Sequence, residues 1–183
     1  MSELEAKLAK RPDIHALHGH FPVSLFAGRY PAAKTVVWLR NPVDRIISYY
    51  GFWTRLAPHG NPEHDRFLLD KPSLPEFARA RRSEVLDYLD GKDITDFDFV
   101  GVVEHFEEDV RRFEGWLHSN LKGAAPGLVF QFWDSIIGQK RRVPQTNTSQ
   151  KRLDVSDEMR SRIASVVEDE IKVYLKALDC RRG

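Results

Sequence analysis

The sequence has 183 residues, which is enough for one domain with a sizeable core and too few for two full ones. Lys and Arg number 28 and Asp and Glu 27, so the formal net charge is +1, and any anion site must be a local cluster rather than a general basic coat. Hydrophobic residues make up 42% and charged residues 30%, which excludes a disordered chain. The single cysteine, Cys180, excludes a disulfide framework and a thiolate zinc site.

The chain carries no apolar run long enough for a membrane span, and Met1–Lys10 holds acidic residues rather than the apolar core of a signal peptide. We therefore expect a cytoplasmic protein with neither a membrane nor a nucleic-acid partner. No repeat or linker-like composition divides residues 1–183, which predicts a single domain.

Capping signals and apolar spacing predict the elements of the first third of the chain. Ser2 and Glu5 form a capping-box pattern that favours a short first helix. The β-branched apolar run Thr35–Leu39 predicts a strand buried on both faces. Asn41, followed at once by Pro42, predicts that a helix begins there.

Strands alternating with helices continue to the end of the chain. We predict a long polar loop over 58–72, a helix over 73–90, a second buried strand over 97–103, a helix over 106–117, a third strand over 128–132, a basic loop over 139–152 and a final helix over 156–178. This alternation indicates an α/β fold with a mainly parallel sheet.

Arg40 and Ser48 are candidate ligands for an anion. Arg40 stands where the first strand ends, and open α/β sheets bind ligands at the carboxyl ends of their strands. Ser48 lies two turns into the following helix, so an arginine fork and a hydroxyl could hold a phosphate together. The residues alone leave open that Arg40 caps a neighbouring carbonyl and that Ser48 is a packing residue.

The segment Arg-Asn-Pro-Val-Asp-Arg-Ile-Ile-Ser-Tyr-Tyr, from Arg40 onward, resembles the 3′-phosphate-binding motif of sulfotransferases that use 3′-phosphoadenosine 5′-phosphosulfate (PAPS). The resemblance implies a P-loop NTPase-like sulfotransferase fold, with a mainly parallel sheet flanked by helices, PAPS as sulfuryl donor and PAP as product. It implies that Arg40 and Ser48 bind the 3′-phosphate. Arg45 is included among the nucleotide-binding residues as one that orients the motif more than it binds ligand.

A second segment, Leu-His-Gly-His-Phe-Pro from Leu17 onward, resembles the His-Gly-His segment of the carbohydrate (heparan and uronyl) 2-O-sulfotransferases. The resemblance implies that His20 is the general base for a carbohydrate hydroxyl and that His18 supports the acceptor. An imidazole that titrates near neutrality suits that proton transfer. Two histidines around a glycine could instead form a surface turn or half a metal site, but neither cysteine nor an acidic cluster completes such a site, so we expect no metal.

Two further segments extend the resemblance. In the segment from Phe99 to Asp109 we interpret Glu104 as a structural residue, because acidic residues suit the first turn of a helix. The segment Gln-Thr-Asn-Thr-Ser-Gln-Lys-Arg resembles a family segment near the C-terminus, and its Lys151 and Arg152 are candidate anion contacts. A solvated basic loop is the alternative for residues 140–142.

The sequence lacks the family's phosphosulfate loop, typically Pro-Lys-x-Gly-x-Ser/Thr-Ser/Thr, so the fold is expected to be N-terminally shortened. The alternatives to a naturally shortened fold are that the start of the sequence is misplaced, or that another segment or chain supplies the loop. Tyr49 and Trp53 would then lie exposed, which favours a homodimer. The leading hypothesis is sulfuryl transfer from PAPS to a carbohydrate-type hydroxyl. The alternative is a non-catalytic nucleotide- or glycan-binding or scaffold descendant, and a P-loop kinase relative ranks last.

Overall fold

The computed structural model describes residues 19–27, 30–120 and 153–182. Its regular elements, in chain order, are α1 Ser24–Ala27, β1 Val36–Leu39, α2 Pro42–Trp53, α3 Pro62–Asp70, α4 Leu74–Ala80, α5 Glu84–Leu89, β2 Phe99–Val102, α6 Phe106–Asn120, α7 Asp157–Val166 and α8 Glu168–Arg182. Two 3₁₀ turns, Ile94–Asp96 and Val103–His105, stand on either side of β2. The predicted first helix, the third strand over 128–132 and the basic loop over 139–152 lie outside the described residues.

The two described strands pair in parallel, with Val36 opposite Phe99 and Leu39 opposite Val102. A parallel pair needs a long crossover, and α2 to α5 form it here. β2 is buried along its whole length, whereas β1 is half-buried until Leu39, so the expectation that β1 is buried on both faces is wrong. The parallel strands with their helical crossover confirm the α/β class.

Helix α2 begins as the Asn-Pro pattern predicts. The Asn41 side-chain oxygen accepts hydrogen bonds from the Val43 and Asp44 amides at 3.0 and 3.3 Å, which satisfies two donors at the helix start. Pro42 occupies the first turn, where no amide hydrogen is needed. This cap fixes the direction in which the chain leaves β1.

The loop predicted over 58–72 is wrong, because α3 occupies most of it. Asn61 caps α3 through hydrogen bonds from the Glu63 and His64 amides, and Pro62 follows as Pro42 does in α2. The helix is stabilised by burying His64 and Phe67, and these two contacts are too few to stand out in a polar segment.

Two predicted helices are each divided in the structure. The helix over 73–90 is α4 followed by α5, and the helix over 156–178 is α7 followed by α8. The Ser73–Glu76 capping box is confirmed, with the Ser73 hydroxyl 2.6 Å from the Glu76 carboxylate. We attribute the first break to Arg81, whose guanidinium lies 4.7 Å from the Trp53 ring while its backbone departs from helical geometry.

Two clusters form most of the described core, and α7 and α8 connect them. The first joins α2, α3, α4 and α7 with Val167, and the second joins β1, β2, α5 and α8. Trp53 is only 6% exposed, and Tyr49 is half-buried against the Trp53 and Phe77 rings. The expected exposure of Tyr49 and Trp53 is therefore wrong, and it gives no support to a homodimer.

Candidate functional site

The turn between β1 and α2 is held in place from two sides. Arg40 follows the last residue of β1, and Asn41 caps α2. The Asn41 amide donates to a Glu104 carboxylate oxygen at 2.8 Å, and the Tyr174 hydroxyl donates to the other oxygen at 3.1 Å. Glu104 thus joins the carboxyl ends of both strands to α8, which confirms its structural interpretation.

Tyr174 contributes to this arrangement from the buried side. Burial and the negative charge of Glu104 raise the pKa of Tyr174 to about 12. The hydroxyl therefore stays protonated and donates to Glu104 throughout the physiological range.

Arg40 and Ser48 have polar groups that remain available. Arg40 is half-buried, and within the described ranges no hydrogen bond or ion pair engages its guanidinium or the Ser48 hydroxyl. Ser48 lies six positions after Pro42, about 9 Å along the helix. Both residues are thus placed on the strand–helix unit that the resemblance assigns to a phosphate.

Arg45, by contrast, is engaged inside the protein. Its guanidinium donates to Glu84 at 2.7 Å, to Glu170 at 2.9 Å and to the Arg81 carbonyl at 3.2 Å. Burial raises the pKa of the Glu170 carboxyl, an effect that the charge of Arg45 opposes. Val85 donates its amide to the same carboxylate at 3.0 Å, so Arg45 ties α2 to α5 and α8.

Asp44, in the first turn of α2, pairs with Arg160 of α7. The Arg160 guanidinium lies 2.6 Å from the Asp44 carboxylate, and the two side chains are 39% and 40% exposed. A cavity of about 220 Å³ opens beside this pair, lined by Asn41, Val43, Arg160, Ser161 and Ala164.

His20 lies against Tyr88 of α5, and no hydrogen bond joins it to Arg40 or Ser48 in the described part of the chain. Its exposed ring is 5.6 Å from the Tyr88 ring, and the Val23 amide donates to the Tyr88 carbonyl at 2.9 Å. Burial and the charge of Glu84 raise the pKa of Tyr88, while Arg81 and Arg45 act in the opposite direction. The segment after His20 is thus anchored on the same helix whose Glu84 pairs with Arg45.

A family model described as "Sulfotransferase domain" matches residues 1–116. The chain belongs to the sulfotransferase family. No curated protein and no solved structure matches the chain. The match covers β1, α2 and β2, and therefore includes Arg40, Arg45 and Ser48, whereas α7 and α8 lie beyond it.

Three predicted site residues, His18, Lys151 and Arg152, lie outside the described residues. The chain is described again from Leu153, whose side chain reaches within 3.7 Å of the position that a Cβ on Gly51 would occupy. Gly51 is one turn beyond Ser48, so Leu153 lies beside the C-terminal half of α2.

Sequence reasoning missed two contributors to the site, Tyr174 and Arg160. No local sequence pattern indicates that Tyr174 supports this turn, because the residue that it contacts, Glu104, is 70 positions away in the sequence. Arg160 could have been found, since Asp44 places a negative charge inside a segment expected to bind an anion and therefore calls for a cation nearby.

No helix within 19–27, 30–120 and 153–182 is both long and apolar enough to cross a membrane. In the same part of the chain, no cluster of three or more histidine, cysteine or acidic side chains is arranged to hold a metal ion.

Proposed function

We propose that this protein transfers a sulfuryl group from PAPS to a hydroxyl group of a carbohydrate or similar acceptor, on a P-loop NTPase-like scaffold. One observation carries the proposal. The Arg40 guanidinium and the Ser48 hydroxyl stand free of hydrogen-bond partners in the described part of the chain, on the strand–helix unit within the residues that the family model matches.

The chemistry of these two groups fits the 3′-phosphate of PAPS. A guanidinium offers two parallel N–H donors to a phosphate, and a hydroxyl adds a third hydrogen bond. Arg45 takes the orienting role, since its donors are directed at Glu84, Glu170 and the Arg81 carbonyl. We assign Lys151 and Arg152 as further anion contacts, because the chain that comes after them runs beside the helix that carries Ser48.

His20 is the proposed general base, with His18 supporting the acceptor. PAPS supplies the sulfuryl group when bound. The acceptor oxygen forms a bond to sulfur, the bond from sulfur to the bridging phosphate oxygen breaks, and PAP leaves with that bond's electron pair. An exposed imidazole at His20 can take the hydroxyl proton as this happens.

Isothermal titration with PAP tests the nucleotide part of the proposal. Arg40→Ala should weaken PAP binding by about 2–3 kcal/mol, because a charge-assisted contact is lost, and Ser48→Ala by about 1 kcal/mol. Arg111→Ala, which removes an exposed arginine from α6, is the matched control and should bind as the wild type does. Equal affinity of Arg40→Ala and wild type, or no heat with wild type, would contradict the assignment.

Transfer of radiolabelled sulfate from PAPS to a panel of glycans tests the reaction itself. Turnover that His20→Ala abolishes, with PAP affinity retained, supports catalysis through His20. PAP binding without turnover on any acceptor would favour the second candidate, a non-catalytic nucleotide- or glycan-binding descendant.

A further inference from the structure

Asp44 places a negative charge next to the proposed phosphate ligand. Asp44 and Ser48 are four residues apart on α2, so they are neighbours on one helix face, with Cβ atoms about 5–6 Å apart. A phosphate that accepts a hydrogen bond from Ser48 would therefore lie close to the Asp44 carboxylate. Two like charges at that distance repel each other unless a cation stands between or beside them.

Arg160 is the cation that pairs with Asp44. Its guanidinium is 2.6 Å from the Asp44 carboxylate, and no other acceptor within the described residues engages it. The pair is open to solvent, at 39% and 40% exposure, and the cavity of about 220 Å³ that Arg160 lines with Asn41 gives a solute access to it. The Arg160 guanidinium is therefore accessible to a charged group of a bound solute.

The contribution of this ion pair to folding stability does not by itself explain why the pair is formed. A half-exposed ion pair contributes little to the free energy of folding. Helix α7 is already fixed against the core by Ile163, which is fully buried. The pair instead joins the central acidic residue of the motif to a helix outside the matched residues 1–116.

We infer that Arg160 is a positioning residue of the 3′-phosphate site: it neutralises Asp44, so that the face of α2 that carries Ser48 accepts a doubly charged phosphate. This inference rests on the proposed function, and it extends the site from the strand–helix motif to α7. It also gives Asp44 a role, since the carboxylate holds the guanidinium beside the motif when no nucleotide is bound.

The test compares PAP with 5′-AMP, which lacks the 3′-phosphate, by isothermal titration. Arg160→Gln should weaken PAP binding about fivefold to tenfold, because the phosphate then faces an uncompensated carboxylate, while 5′-AMP binding stays unchanged. Arg162→Gln, on an exposed position of the same helix, removes the same charge and should leave both affinities unchanged. Thermal melts of both variants verify that they are folded.

Rescue separates neutralisation from a structural role. Asp44→Asn combined with Arg160→Gln should bring PAP affinity back to within about twofold of wild type, since the repelling charge is gone. Wild-type affinity in Arg160→Gln, equal losses for PAP and 5′-AMP, or a double variant as weak as Arg160→Gln would each overturn the inference. If Arg40→Ala weakens PAP binding and Arg160→Gln does not, the inference fails and the proposed function stands. No PAP binding by wild type would overturn both.

Discussion

At Gly101 the side chain of a neighbouring residue occupies the space where a Cβ would stand. Gly101 pairs with Trp38 across the two strands, and a Cβ built on it would lie 2.5 Å from the Trp38 ring. The indole cannot easily withdraw, because it also contacts the rings of Phe99, Phe106 and Phe113. The close approach of these two residues sets how tightly β1 and β2 pack.

Gly101→Ala should therefore lower the free energy of unfolding by about 2–3 kcal/mol, because the indole or the backbone must shift. Chemical denaturation measures the change. Gly115→Ala is the control in α6, where the new methyl group meets nothing within 4 Å apart from its own helix backbone and chain neighbours, and it should raise stability by about 0.5–1 kcal/mol through helix propensity. A Gly101→Ala protein as stable as the wild type would contradict this account.

At the scale of elements, local signals locate helix starts better than helix ends. The Asn41-Pro42 pattern predicts α2, and the same pattern at Asn61-Pro62 also begins a helix, although the polar residues around it predict a loop. The two helices differ in their buried residues, since α3 buries only His64 and Phe67 in a polar context. We attribute the break after α4 to the contact of Arg81 with Trp53 of α2, which no local pattern encodes.

Some residues of the candidate site can be found from local sequence patterns, and others depend on contacts between distant parts of the chain. Arg40 and Ser48 are found from a local motif, and the strand–helix unit that carries them is confirmed. The partners that hold this unit come from far along the chain, as Glu170 does for Arg45 over 125 positions. Contacts of that kind depend on how the helices pack, and a single sequence does not display them.

The hydrogen bond from Tyr174 to Glu104 connects α8 to the turn that carries Arg40, and the pKa of Tyr174 reports on this connection. Glu104→Gln removes the negative charge that, with burial, holds the pKa of Tyr174 at about 12, so this pKa should fall toward the usual value near 10. Tyrosinate absorbance during an alkaline titration measures it, with Tyr174→Phe identifying the signal. An unchanged tyrosinate titration would show that Glu104 and Tyr174 are not coupled.

At the scale of the whole molecule, Asp109 joins three elements in one buried cluster. The fully buried carboxylate of Asp109 accepts hydrogen bonds from the Val102 amide at 2.8 Å, Arg112 at 2.8 Å and Arg181 at 2.7 Å. Burial alone would raise the pKa of Asp109, but the bonds from Arg112, Val102 and Arg181 outweigh it and hold the pKa below its usual value. The ionised form is therefore the one that stabilises the fold.

Low pH should decrease the free energy of unfolding, because the Asp109 carboxylate becomes protonated. Because the folded pKa is lowered, the stabilisation from the carboxylate is present above the unfolded value of about 3.9 and is lost as the pH falls through the lower folded pKa. Asp109→Asn should lose about 3 kcal/mol at neutral pH, and its difference from wild type should shrink as the pH drops below about 4.

Urea unfolding over a pH series measures both curves. Asp154→Asn, at an exposed position, is the control and should track the wild-type curve. A difference between wild type and Asp109→Asn that stays constant with pH would contradict the role assigned to the carboxylate.

The turn after β1 and helix α2 are held by contacts between residues that are far apart in the sequence. The hydrogen bond from Asn41 to Glu104 spans 63 positions, and the ion pair from Arg45 to Glu170 spans 125. Contacts this distant in sequence close late in folding, because a long stretch of chain loses its freedom before they form. The turn that carries Arg40 therefore reaches its final support only after α8 has been synthesised and has docked. A nascent chain that ends at residue 116 would contain the whole segment matched by the family model and still lack Tyr174 and Glu170, the α8 residues that hold this turn and helix α2.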